Sequence, residues 1–192
     1  METDALTPVP LSAATCLLRP QLGKRLARLV RYSWWPAEEV PKQCGVAETR
    51  SFSLTAGPLA IHFEGGVVIG LASDPASNSV VVWDEGGRYN SRAWTPLDRD
   101  GELFSIDGMS RRFATAYWGQ LIGLTVTGMT ILKKAQMSAK ERTRPSELGL
   151  RMRFGDGSTL IASHGLHNGS DDFSVLEESD LGSIELHEHG FL

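Results

Sequence analysis

The segment Ser163-His164-Gly165-Leu166-His167-Asn168-Gly169-Ser170-Asp171-Asp172-Phe173 holds two histidines, two adjacent carboxylates and two glycines. No other stretch of the chain gathers as many groups able to bind a metal, move a proton or meet a charged partner. His187 and His189 follow closely, so four of the five histidines fall in the C-terminal third. Imidazole and carboxylate ligands suit zinc or another first-row divalent metal. His164, His167, His187 and His189 are therefore the metal candidates. Their spacing is not an established signature. An HxxH inside a glycine turn lacks the helix that sets both imidazoles of HExxH on one face. His187 and His189 would share one face of a strand. The plainer role for His164 and Asp172 is to bond backbone groups and hold a tight loop.

The same residues could serve catalysis, with Ser163 or Ser170 beside His164 or His167. The chain carries no GxSxG elbow, no GxxxxGK[ST] and no GxGxxG after a strand. Asp171 and Asp172 point to opposite faces of an extended chain, which makes them a poor carboxylate pair. The sequence thus predicts no catalytic residue and no cofactor. A metal-dependent enzyme or metal-binding protein is the alternative.

Charge patterning points toward a binding role. The net charge of −4 hides a division. From Lys133 to Arg153 seven basic residues face two acidic ones, and from Gly155 to Leu192 eight acidic residues face no Lys or Arg. The acidic tail needs a counter-charge, either the basic segment before it or a basic partner. Asp171, Asp172, Glu177, Glu178 and Asp180 are the candidate contacts, with Trp34 or Trp35 as an aromatic anchor if exposed. Nucleic acid is a poor partner for a net-acidic chain whose basic segment has no interleaved aromatics.

The elements that must position these residues follow from periodicity. Met1 to Leu11 reads as a frayed, proline-bearing lead-in, and Ser12 could cap a short helix through Leu18. Trp34-Trp35-Pro36 breaks an element, and Ala37 to Val40 makes one helical turn. Ser51 to Leu54 alternates as a strand. Leu59, Ile61 and Phe63 share one face, and Gly65-Gly66 is a hairpin signal leading into Val67 to Leu71. Ser73 to Asn78 is a polar loop before the strand Val80 to Trp83, and Asp84 to Gly101 is a long connection. Ser110 opens a helix whose apolar face is Phe113, Tyr117, Trp118 and Leu121. Strands follow at Leu124 to Leu132, Leu148 to Phe154, Thr159 to Ala162, Phe173 to Leu176 and Ile184 to His187, with an exposed basic linker at Lys133 to Arg144.

Two parts of this reading match. Leu59 to Gly66 aligns with Leu150 to Gly157: an alternating strand ends in Phe, and a two-residue turn follows one residue later. Leu22-Gly23 with Leu26 and Leu29 aligns with Ile122-Gly123, Val126 and Met129, which makes Arg25 to Trp34 a strand. The unit of helix, strand, hairpin, loop and strand is written twice, near 12–83 and 110–176. Each copy has too little apolar surface to stand alone, so the halves should pack with rough two-fold symmetry. The loop Ser73 to Ser79 is then the counterpart of the histidine stretch, without a histidine. The expected fold is one α+β domain over 1–192, mostly antiparallel sheet.

At 192 residues the chain suits one domain, and twenty glycines suit many short strands. The N-terminus carries Glu2 and Asp4 and no early basic residue, unlike a secretory signal, and no apolar run is long enough for a membrane span. Cys16 and Cys44 have neither CxxC nor metal-knuckle spacing and read as buried, reduced thiols. These features predict a cytoplasmic protein without membrane contact.

The run Gly149 to Gly157, continued by Ser163 to His167 and by Asp171-Asp172-Phe173, resembles stretches in small bacterial proteins. It is similar in style to toxin-neutralising immunity proteins of polymorphic and contact-dependent secretion systems. The likeness covers about the last third of the chain, and no functional residue carries over. It implies a non-enzymatic binding protein with a cognate partner. The charge pattern separately suits an inhibitor of a basic toxin or nuclease, presenting carboxylates where the enzyme expects phosphates.

Overall fold

The stretch from Leu59 to Asp74 shows how the chain builds its sheets. Leu59, Ile61 and Phe63 alternate with Ala60 and His62, the period of a strand with one face on a core. Gly65 and Gly66 turn the chain at φ of 93° and 84°, and the strand returns at Val68. In the computed structural model, which describes residues 5–191, this pattern recurs through two antiparallel sheets.

The first sheet comprises Val9–Pro10 (β1), Leu26–Ser33 (β2), Leu59–Phe63 (β3), Val68–Asp74 (β4), Ser79–Asp84 (β5) and Phe104–Asp107 (β6), in the order β1-β5-β4-β3-β2-β6. The second comprises Val126–Lys134 (β7), Gly149–Phe154 (β8), Thr159–His164 (β9), Phe173–Leu176 (β10) and Leu186–Gly190 (β11), in the order β10-β9-β8-β7-β11. With only short helices between them, the fold is α+β and mostly antiparallel. No helix among the described residues is long and apolar enough to cross a membrane.

Each sheet contains a four-strand meander, β2 to β5 and β7 to β10, and the first strand of each carries a register shift, at Leu26/Arg28 and at Val126/Gly128. The meanders meet at the bridge between Arg25 and Thr125. The bonds there are reciprocal. Gly23 N–H donates to Val126 O (2.8 Å) and Gly123 N–H to Leu26 O (2.7 Å), while Leu26 N–H reaches Leu124 O and Val126 N–H reaches Lys24 O, both at 2.9 Å.

One apolar cluster draws on both sheets, with Leu29, Ile61 and Leu71 from one and Met152, Leu160 and Ala162 from the other. Trp118 is fully buried in it, beside Phe52 and edge-on to Tyr117, and its indole N–H donates to Ser53 Oγ at 3.0 Å. Truncating such a side chain to Ala costs about 3–5 kcal/mol. Arg31 also ties the halves together. Its buried guanidinium donates to Thr55 O and Gly57 O in its own half and to Phe173 O at 2.7 Å in the other.

Several local expectations are corrected. Ser51–Leu54 is a helical turn, not a strand, and Ser51, Phe52 and Ser53 are all buried. Four residues, three of them buried in succession, carry no readable period. The helix expected from Ser110 is confined to Ala116–Gln120. Ser110 does accept from Phe113 N–H at 3.2 Å, but Thr115 is extended (ψ 156°) and breaks the run. Lys133 and Lys134 belong to β7, and the linker after them contains the turn Ala139–Arg142, closed by a capping box between Ser138 and Glu141. Ser12 caps nothing through its side chain; its N–H instead donates to the buried Glu147 carboxylate at 2.9 Å. The turn expected at Ala37 to Val40 is present, with Val40 N–H on Pro36 O at 3.3 Å, and leads into the helix Val40–Cys44. Strand β6 has no forerunner in the sequence reading, and β1 lies within the stretch read as a lead-in, whose residues 1–4 fall outside the described part. Both cysteines are free, but Cys16 is exposed and Cys44 half-buried rather than buried.

Candidate functional site

Strand β9 ends on His164, and its side chain is only 2% exposed. Its ring meets the end of β4 and the turn that follows it. Nδ1 contacts Ser73 Oγ, and Nε2 lies 3.2 Å from Asn78 Oδ1. Ser73 Oγ also donates to Asp171 O at 2.7 Å, and Asp171 Oδ1 lies 3.8 Å from His164 Nε2. Asn78 is oriented from behind, because its Nδ2 donates to Ser146 Oγ (3.0 Å), whose hydroxyl donates to Glu141 O (2.7 Å). Asn78 Oδ1 is thus left facing the ring, so Nε2 carries a proton in the neutral state. Ser73 has a single hydroxyl proton, which Nδ1 and Asp171 O share as alternative acceptors. Burial depresses the imidazole pKa and outweighs the opposing pull of Asp171 and Asp74.

The segment beyond His164 is shaped by close approach of backbone. Gly165 has φ of 74°, and a Cβ there would lie 2.6 Å from Ser170 O. Gly169 N–H closes the turn onto Gly165 O at 2.9 Å. Both ring nitrogens of His164 are engaged in holding this loop to the Ser73 loop. His167 is exposed on the loop, and His187 and His189 are exposed on β11. Between them, Glu188 bonds Thr130, Arg151 and Arg153. Among the described residues no group of three His, Cys, Asp or Glu side chains is placed to hold a metal ion. The four candidate histidines do not converge.

Three carboxylates of the acidic tail find counter-charge inside the chain. Arg151, nearly buried on β8, sits between Glu178 (2.6 Å) and Glu188, and Arg153 also pairs with Glu188 at 2.7 Å. Asp180 pairs with Arg50 at 2.8 Å, and Glu177 accepts from Thr115 Oγ1 at 3.3 Å while closing a small capping box. Burial alone would raise the Glu188 carboxyl, but Arg153, Thr130 and Arg151 together hold it below its ordinary value. Asp172 accepts from Ser170 Oγ at 3.0 Å. Asp171 differs: its side chain is 74% exposed, 3.8 Å from His164 Nε2, and lines a small pocket with Lys140 and Arg144 without pairing with either.

The two tryptophans part company. Trp34 is 49% exposed, whereas Trp35 is half-buried against the core. Trp34 stands over a groove of about 410 Å³ whose lining includes Pro58, Val81, Trp83, Leu97 and Leu103. Ser73, Asp74, Arg88 and Asp100 also line it. Asp74 and Asp100 bond backbone N–H groups of their own loops. Neither they nor Asp171 pair with a Lys or Arg among the described residues.

One wall of the groove is the long connection after β5. It is pinned by Glu85, only 3% exposed, which accepts from Trp83 Nε1 and from Leu97 N–H, each at 2.5 Å. Arg88 lies 3.7 Å from the same carboxylate and stacks between Trp83 and Trp94, 4.4 and 4.8 Å from their centroids. Burial pushes the Glu85 carboxyl pKa up. Sequence reasoning missed Ser73, Asn78, Glu85 and Asp100. The one available signal was the pairing of the Ser73 loop with the histidine stretch as counterparts, which says nothing of their contact. No protein-family model, curated protein or solved structure matches the chain.

Proposed function

We propose that the chain is a protein-binding module that receives a basic partner in the Trp34 groove. Its most concrete form is an immunity-type inhibitor that neutralises a cognate toxin such as a nuclease. The observation that carries the reading is the half-exposed Trp34 over an apolar groove whose lining includes Asp74 and Asp100, neither paired with a Lys or Arg among the described residues. A large aromatic beside an apolar floor supplies the anchor of a binding site, and unpaired carboxylates at its rim steer a cationic partner. Asp171 and Asp172 keep the contact role suggested by the sequence. Glu177, Glu178 and Asp180 are engaged inside the chain, and their part passes to Asp74 and Asp100.

The test is capture of the partner from the native host with the intact chain, followed by calorimetry against the purified partner. Trp34→Ala should weaken binding by about thirtyfold or more, the scale of an interface hot spot. Asp171→Asn should act chiefly on the association rate and lose its effect at high salt. A partner that is acidic, or one bound equally well by the Trp34 variant, would sink the proposal. So would a host in which deleting the chain removes no protection.

A further inference from the structure

A second cavity, of about 460 Å³, lies on the Trp35 side, where the helix Val40–Cys44 meets the loop after His164. Trp35, Cys44, Phe173 and Ser174 line it, with His167 and Asp172 also among its walls. Its size is that of a small-molecule site. Ser174 is only 5% exposed, and its hydroxyl is buried without a hydrogen-bond partner among the described residues. Buried hydroxyls ordinarily have one.

Behind the cavity wall sits a charge. The Phe173 ring carries the Arg31 guanidinium 4.6 Å from its centroid. Arg31 is fully buried and donates only to carbonyl oxygens, and its Nε has no partner. No carboxylate among the described residues pairs with it. Burial lowers its pKa to about 9, which leaves it charged at neutral pH, and Cys44 lies close enough to oppose the shift. A cation held in a low-dielectric interior acts on its surroundings with little screening. The Asp172 carboxylate belongs to an exposed residue and is screened by water.

We propose that Cys44 is a modification site that takes a small anionic disulfide and forms a mixed disulfide inside this cavity. The Cys44 thiolate attacks one sulfur of the incoming disulfide, a new S–S bond forms and the old one breaks. The other half leaves as a thiolate. Cys44 is oxidised and the reagent disulfide is reduced, with no further co-reactant. The retained half lies in the cavity, where Arg31 favours its anionic group and Ser174 Oγ offers an unused hydrogen-bonding atom. This inference goes beyond partner binding and does not depend on it, since it uses the other tryptophan and the other cavity.

Cys16, free and exposed elsewhere on the chain, is the built-in comparison. Cys16→Ser and Cys44→Ser each leave one thiol in the full chain. Each variant is treated with a dianionic dithiobis(nitrobenzoate) and with neutral dithiodipyridine, and the rates are followed by released thiolate and intact mass. The ratio of anionic to neutral rate should be about tenfold higher at Cys44 than at Cys16, the scale of a weakly screened charge. Ser174→Val, folded by circular dichroism, should slow the reaction at Cys44 and leave Cys16 unchanged. Equal ratios at the two thiols would overturn the proposal, as would reaction of Cys44 only after urea unfolding.

Discussion

Replacing Glu85 with Ala tests whether the binding groove is built by one buried carboxylate. Glu85 accepts two short bonds, from Trp83 Nε1 and Leu97 N–H. Bonds to a charged acceptor contribute about 1.5–3 kcal/mol each. Against this stands the cost of keeping a carboxylate in a buried place, which is why its pKa is pushed up. The substitution relieves that cost but leaves two buried donors without acceptors and Arg88 without its nearest carboxylate. Removing one member of such a buried set costs about 3–5 kcal/mol, so the orphaned groups win. Gln at the same position keeps one acceptor oxygen and should lose about half as much. Urea unfolding followed by tryptophan fluorescence measures both. The second readout is local. Arg88 is 7% exposed, so trypsin should spare the Arg88–Tyr89 bond in the wild type and cut it in the Ala variant. The reasoning fails if Glu85→Ala unfolds within about 1 kcal/mol of wild type, or if Arg88 stays protected.

Other perturbations probe the remaining parts. Gly70→Ala would place a Cβ 2.2 Å from the Trp83 ring; the ring must leave the groove floor, with a loss of about 1–3 kcal/mol and a shifted tryptophan emission. Unchanged emission would count against this packing. His164 titrates lower in the folded state than its ordinary 6.5, so the unfolded chain binds more protons below that value. The stability it contributes is present above pH 6.5 and is lost as pH falls toward the lowered value. Urea midpoints should therefore drop over that window in wild type and less in His164→Gln; parallel midpoints would refute it. Glu188→Gln removes the pairs with Arg151 and Arg153. Because Glu188 is partly exposed, the loss should be about 1 kcal/mol and should shrink with salt. Faster amide exchange over β11 is its signature, and unchanged exchange there would disprove the role.

Much of the sheet was legible because strands on a common core repeat every two residues. Leu59, Ile61 and Phe63, and again Leu150, Met152 and Phe154, announce their faces without help from distant parts of the chain. The turns at Gly65-Gly66 and Asp156-Gly157 are equally local. Ser51–Leu54 and the run from Ser110 were misread for the opposite reason. The first is too short and too evenly buried for any period, and the second is broken by one extended residue, Thr115. The edge strands β1 and β6 escaped notice because they are short.

The site divides along the same line. From sequence alone come the residues of the histidine stretch and the excess of carboxylates after Gly155. Local composition and period carry both of these. Which carboxylates remain free is a different kind of fact. Glu178, Asp180 and Glu188 are neutralised by Arg151, Arg50 and Arg153, which lie between 27 and 130 residues away along the chain. His164 is held by Ser73, at a separation of 91 residues. Charge pairing and burial act through space over a few ångströms, so only the folded chain decides that Trp34 and Trp35 line different cavities and that His164 joins two loops.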